Sequence, residues 1–114
     1  MNGMKKIAAA LALAVAGGMA VPANAADGMN RWVYFVNGTD QTIWNVYARN
    51  VSGGPSTRDL LGAELLEPGD GMWVNVDDHS GHCRFNLTAV YESDYRGYDR
   101  NVNVCSVSEF RFRG

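Results

Sequence analysis

No lysine follows Lys6, and only two cysteines, Cys83 and Cys105, occur in the 114 residues. Beyond Val21 no apolar run approaches the ~18 residues of a membrane-spanning helix. No later segment keeps a helical hydrophobic period, and no internal repeat or low-complexity run is present. Each absence excludes something. Without lysine, residues 26–114 hold eight arginines against twelve acidic residues, a net charge of −4. That excess argues against nucleic acid as a partner, because phosphate contacts need a basic surface. Without further apolar runs, the part beyond residue 25 has no membrane-spanning helix. With 89 residues beyond the expected signal, most multi-domain enzymes, large cofactor-binding folds and solenoids fall away.

The first 25 residues have the layout of a secretory signal. Lys5 and Lys6 form a basic start, Ile7–Val21 an apolar stretch, and Pro22 a helix breaker before Ala23-Asn24-Ala25. Cleavage is expected after Ala25, giving a periplasmic or secreted product. No twin arginine precedes the apolar run, and no cysteine follows the cleavage site to take a lipid. Residues 26–30 are expected to be a flexible leader and residues 31–114 a single domain. In an oxidising compartment, the even pair Cys83 and Cys105 reads as a disulfide. Closing the loop from Cys83 to Cys105, about 23 residues, is worth roughly 3 kcal/mol in the chain-entropy model.

Six short β-rich segments follow one another: 31–37, 42–49, 72–76, 83–92, 98–105 and 109–113. Turn clusters separate them, among them Gly53-Gly54-Pro55 and Pro68-Gly69-Asp70-Gly71. Gly38–Gln41 between the first two predicts a hairpin. Leu60–Leu66 reads as one helical turn or an irregular apolar strap. The clearest alternation is in the fourth segment, with Cys83, Phe85, Leu87, Ala89 and Tyr91 on one face. Cys105 has the parity of Asn101 and Asn103, so a strict ladder cannot put both cysteines on the apolar face. Either a β-bulge shifts the phase, or Cys105 lies just past the strand. The fold class is all-β: a small antiparallel β-sandwich or partly open barrel of about six strands, pinned by one disulfide.

The residues V-x-N-x-T-x-x-T-I (Val36–Ile43), Val46-Tyr47, D-L-L-G (Asp59–Gly62), Leu66-x-Pro68-Gly69, C-R-F-N-L-T-A-V-Y (Cys83–Tyr91) and N-V-C (Asn103–Cys105) form an ordered set. The set resembles a family of small exported bacterial proteins with no established activity. Members of that family usually carry a tryptophan just before D-L-L-G, where this chain has Ser56-Thr57-Arg58. Some members bear an automatic argininosuccinate lyase label. That enzyme is a large helical oligomer with a serine-bearing signature loop, which this β-rich chain cannot supply. The resemblance implies a β-sandwich and the Cys83–Cys105 bridge. It brings no catalytic residue.

Asp77-Asp78-His79-Ser80-Gly81-His82-Cys83 is the densest set of candidate ligands. Asp77, Asp78, His79 and His82 have the chemistry to bind a divalent transition metal. Asp40, Asp70, Asp77 and Asp78 are a second, calcium-type set. The competing reading is a polar inter-strand loop. Ser80 has two histidine neighbours but no nucleophile elbow, and adjacent loop residues rarely form a triad. No enzyme is expected. Of Trp32, Trp44 and Trp73, at least two are expected in the core, the alternative being an exposed platform for sugars or peptides. Arg84, Arg96, Arg100, Arg111 and Arg113 are expected to face solvent. The sequons at Asn37, Asn50 and Asn86 read as turn and strand chemistry. The functional expectation is a non-enzymatic exported binding module without cofactor, its partner an envelope protein, a glycan or a small ligand. A metal-binding protein using the 77–82 loop is the alternative.

Overall fold

The computed structural model describes residues 28–114; the expected signal and its cleavage site lie outside the described residues. Six strands form in chain order: β1 (Trp32–Asn37), β2 (Ile43–Asn50), β3 (Gly71–Asn75), β4 (Arg84–Tyr91), β5 (Arg96–Asn103) and β6 (Glu109–Phe112). They make two three-stranded sheets, and no helix is present among the described residues. In sheet I the order is β3-β1-β6, with β1 antiparallel to β3 and parallel to β6. Sheet II has the antiparallel order β2-β4-β5. Residues 28–30 precede β1 and are exposed.

The expected β1–β2 hairpin does not form: the chain leaves sheet I after Asn37 and enters sheet II at Ile43. Asn37 supplies the physical reason. Its buried amide donates to the carbonyls of Gln41 (2.7 Å) and Leu66 (2.8 Å). Its Oδ1 accepts from the backbone N–H (2.9 Å) and the hydroxyl (2.7 Å) of Thr39. One side chain thus satisfies the polar groups of a corner, as asparagine does in turns. Gly38 permits the corner to close on β6, since a Cβ there would lie 2.8 Å from the Phe112 carbonyl oxygen. Asn50 builds a similar turn, accepting from the N–H of Ser52 at 2.8 Å.

The core lies between the sheets. Val33 and Phe35 from β1 and Val74 from β3 face Val46 and Ala48 from β2 and Phe85, Leu87 and Ala89 from β4. Phe35 receives Phe112 edge-on at 5.1 Å and Phe110 at 6.5 Å, the T-shaped geometry that the ring quadrupole favours. The fourth segment buries Phe85, Leu87, Ala89 and Tyr91 as its alternation requires. Cys83 precedes the strand and is only half-buried.

The second solution to the cysteine parity problem holds; a β-bulge is present too, but it turns Val102 and Val104 inward and leaves Cys105 out of phase. Phe85 pairs with Val102 and Leu87 with Asp99, so Arg100 and Asn101 together oppose Asn86. The bulge is held by Asn101 N–H donating to Asn86 Oδ1 at 2.9 Å, with Asn101 at φ 58°. Cys105 lies beyond the end of β5, which runs from Arg96 to Asn103 rather than from Tyr98 to Cys105. The disulfide joins Cys83 to Cys105 with Cα atoms 5.4 Å apart. Beside it the Val104 N–H donates to the Cys83 carbonyl at 2.8 Å.

Leu60–Leu66 is the irregular strap. Together with Thr57 it covers the edge of β2: Thr57 and Leu60 donate to Ala48 and Val46 carbonyls, and Leu66 exchanges backbone bonds with Ile43. Asp59 anchors the strap, its Oδ1 accepting from the N–H groups of Val46 (3.0 Å) and Leu61 (3.1 Å). At the opposite edge of sheet II, β5 carries Asp99 on its inward side, paired with Leu87. An inward charge and a bulge are two ways in which edge strands resist pairing with other chains. Burial raises the Asp99 pKa above the ordinary carboxylate value. The Tyr91 hydroxyl is also raised, by burial first and then by the charge of Asp99.

Candidate functional site

The 77–83 loop is ordered by its own polar side chains. Asn75 Oδ1 accepts from Asp77 N–H, Asp77 Oδ1 from His79 N–H, and Asp78 Oδ1 from the N–H and hydroxyl of Ser80. The Ser80 oxygen accepts in turn from His82 N–H (3.2 Å) and from the Asn50 amide (3.1 Å). These carboxylates act as turn caps. Below the loop, Arg31 is buried, with 1% of its surface exposed, and its Nε donates to the His82 carbonyl at 2.8 Å. Its guanidinium lies 4.0 Å from Asp77 Oδ1 and 3.9 Å from Cys83 Sγ. A buried guanidinium needs such partners, so Arg31 ties the loop and the disulfide to the start of β1.

Of the four candidate metal ligands, Asp77 and His79 approach each other, at 3.7 Å, while the His79 side chain is 91% exposed. His82 is exposed and contributes its backbone to Arg31. Among the described residues, no group of three or more His, Cys, Asp or Glu side chains is gathered as a metal site would require. The same holds for Asp40, Asp70, Asp77 and Asp78. Ser80 Oγ is bonded to Asp78 and Asn50, and no hydrogen bond joins it to either imidazole among the described residues.

The expectation that at least two of the three tryptophans lie in the core is overturned. Trp44 and Trp73 are each 48% exposed, and Trp32 is half-buried. Register explains this. Val33, Phe35 and Val74 point inward, so Trp32 and Tyr34 on β1 and Trp73 on β3 point outward. Tyr34 opposes Trp73, their ring centroids 5.4 Å apart at 60°. The Tyr34 ring lies over Gly71, where an added Cβ would fall 2.5 Å from a ring carbon. Glycine is needed there for close approach rather than for a turn.

Along the β3 flank these rings meet the strap. An open groove of about 630 Å³ is lined by Trp32, Trp73, Asn75, Arg58, Leu60 and Gly62. Asp59 fixes its far wall through the two N–H groups described above and through Asn45, whose amide donates to Oδ2 at 2.8 Å. Arg58 and Asn75 are exposed and bring hydrogen-bond donors to an aromatic floor. The groove is open, and its lining joins two indole rings to polar side chains. The alternation in β1 could have located this face. Large apolar residues on both sides of the strand obscured which side was the core.

No protein-family model matches the chain, and no curated protein or solved structure matches it.

Proposed function

We propose that this chain is a non-enzymatic, exported binding module that takes its ligand in the groove between the β3 flank and the 58–62 strap. The observation that carries the reading is the placement of Trp32, Tyr34 and Trp73 on the solvent side of sheet I. A chain this small gains most by burying its largest rings, and three of them stand outside. Trp and Tyr are the residues that most often dominate binding energy, because they offer large rigid surfaces with a polar tip. In this reading the rings supply the contact area, while Arg58 and Asn75 set orientation. The strap wall is held by Asp59, so little ordering is needed on binding.

The periplasmic or secreted location rests on the signal-like residues 1–25, and the disulfide is consistent with an oxidising compartment. The partner is an envelope protein, a glycan or a small ligand, without cofactor. The resemblance to small exported bacterial proteins belongs to the same proposal. Two measurements test it. Intact mass of envelope protein should give a chain beginning at Ala26; an uncleaved cytoplasmic form contradicts export. Indole emission should shift when soluble envelope fractions are added, and the shift should vanish in Trp32→Ala/Trp73→Ala. An unchanged shift in that variant places the ligand elsewhere.

A further inference from the structure

The outward face of sheet II has a different character from the groove. Its middle row is Tyr47, Thr88 and Tyr98, cross-strand partners on the solvent side. On one side of this row stand Arg49, opposite Asn86, and Arg100, delivered by the β5 bulge. Beyond them on that side Arg84, opposite Asn103, ends the face, and on the other side of the row Arg96 opposes Val90. A second irregularity, between Ile43 and Asn45 in β2, leaves Trp44 exposed at the start of the same strand. Bulges re-aim side chains, and the two in this sheet lie beside an exposed arginine and an exposed tryptophan.

Four of the eight arginines beyond residue 25 therefore share one face, although the chain is acidic there overall. No Asp or Glu occupies an outward strand position on this face; Asp99, the one acid within these strands, points inward. Among the described residues, none of Arg49, Arg84, Arg96 and Arg100 makes an ion pair, and Arg49 donates only to the Gly54 carbonyl at 2.7 Å. Tyr98 is 60% exposed.

We infer that this face binds an acidic polysaccharide, a glycan whose sugar rings carry carboxylates. Unpaired guanidinium groups offer planar forks that match carboxylates. Exposed tyrosine rings offer flat apolar surfaces on which a sugar ring can lie while its hydroxyls stay wet. An open sheet face, its strands about 4.8 Å apart, suits an extended polymer better than a compact molecule. The concentration of arginine on one side of an acidic protein also steers an anionic chain to that side. This site is independent of the groove, and either can fail without the other.

The test uses disulfide-bonded residues 26–114 titrated at low salt with oligogalacturonate, neutral dextran and poly-glutamate. Oligogalacturonate should bind, more weakly as salt rises, while dextran should not. Arg84→Gln/Arg96→Gln should weaken binding about tenfold, the loss of ~1.4 kcal/mol. Tyr98→Ala should weaken it severalfold, whereas Arg113→Gln, beyond the end of β6, should leave it unchanged. The variants alter exposed residues, and unchanged melting curves confirm their folding. Absence of oligogalacturonate binding overturns the inference. Equal binding of poly-glutamate with no effect of Tyr98→Ala also overturns it, and shows a surface for acidic polypeptides instead.

Discussion

Replacing Trp73 by alanine should cost less stability than replacing the smaller Phe35. Phe35 is fully buried at the centre of sheet I, with Phe112 and Phe110 packed edge-on against it. Truncation there removes the ring's transfer free energy and leaves a cavity, about 3–5 kcal/mol for a core phenylalanine. Trp73 is 48% exposed and keeps one aromatic partner, Tyr34. About half of an indole's ~200 Å² remains to be lost. At ~25 cal/mol per Å² this is about 2.5 kcal/mol as an upper bound, since the unfolded chain already buries part of it. Little cavity forms at a surface that water can fill, so about 1–2 kcal/mol is expected. Urea unfolding followed by circular dichroism, which does not depend on the removed indole, measures both variants. A Trp73→Ala loss equal to or above that of Phe35→Ala would refute the outward placement of Trp73.

Other expectations follow from the same structure. Cys105→Ser should lower stability by about 2–5 kcal/mol under oxidising conditions, seen in the same unfolding assay; no loss would mean that the bridge is not formed in solution. Asp99→Asn should stabilise the protein at neutral pH, because burial raises the folded-state pKa. The folded state then holds its proton more tightly than the unfolded chain, so the charged carboxylate costs stability above the unfolded pKa. The gain from Asn should shrink as pH falls through the raised folded value and vanish below the ordinary 3.8. A gain that persists at pH 2–3 would assign the effect to something other than ionisation. For the 77–83 loop, a chelator should leave the melting temperature unchanged. A rise of several degrees with micromolar Zn²⁺, lost in His79→Ala/His82→Ala, would restore the metal alternative.

Strand content was legible because the apolar faces alternate, nowhere more clearly than in Phe85, Leu87, Ala89 and Tyr91. The odd parity of Cys105 likewise fits its place just past the end of β5, one of the two arrangements that parity allowed. Sheet assignment was not legible at Gly38–Gln41. A polar turn between two strands looks the same whether it closes a hairpin or turns a corner. The buried amide of Asn37 decides it through Leu66, 29 residues away, and no local pattern carries that contact. The tryptophans misled for a related reason. In Trp32–Val36 every residue is aromatic or β-branched, so composition could not separate the core side from the solvent side. Partners on β3 and β6 make that distinction. The acidic loop was legible as ligand chemistry, but its carboxylates are engaged as caps of their own turns.

The most direct measurement is retention from envelope extract on immobilised, disulfide-bonded residues 26–114, run beside Trp32→Ala/Trp73→Ala. Protein and glycan would both be analysed in the eluates, and the unfolding curves of the two baits compared first. A component held by the wild-type chain and lost by the folded double variant is the predicted result. Equal retention on both baits would contradict the claim that Trp32 and Trp73 form the binding surface.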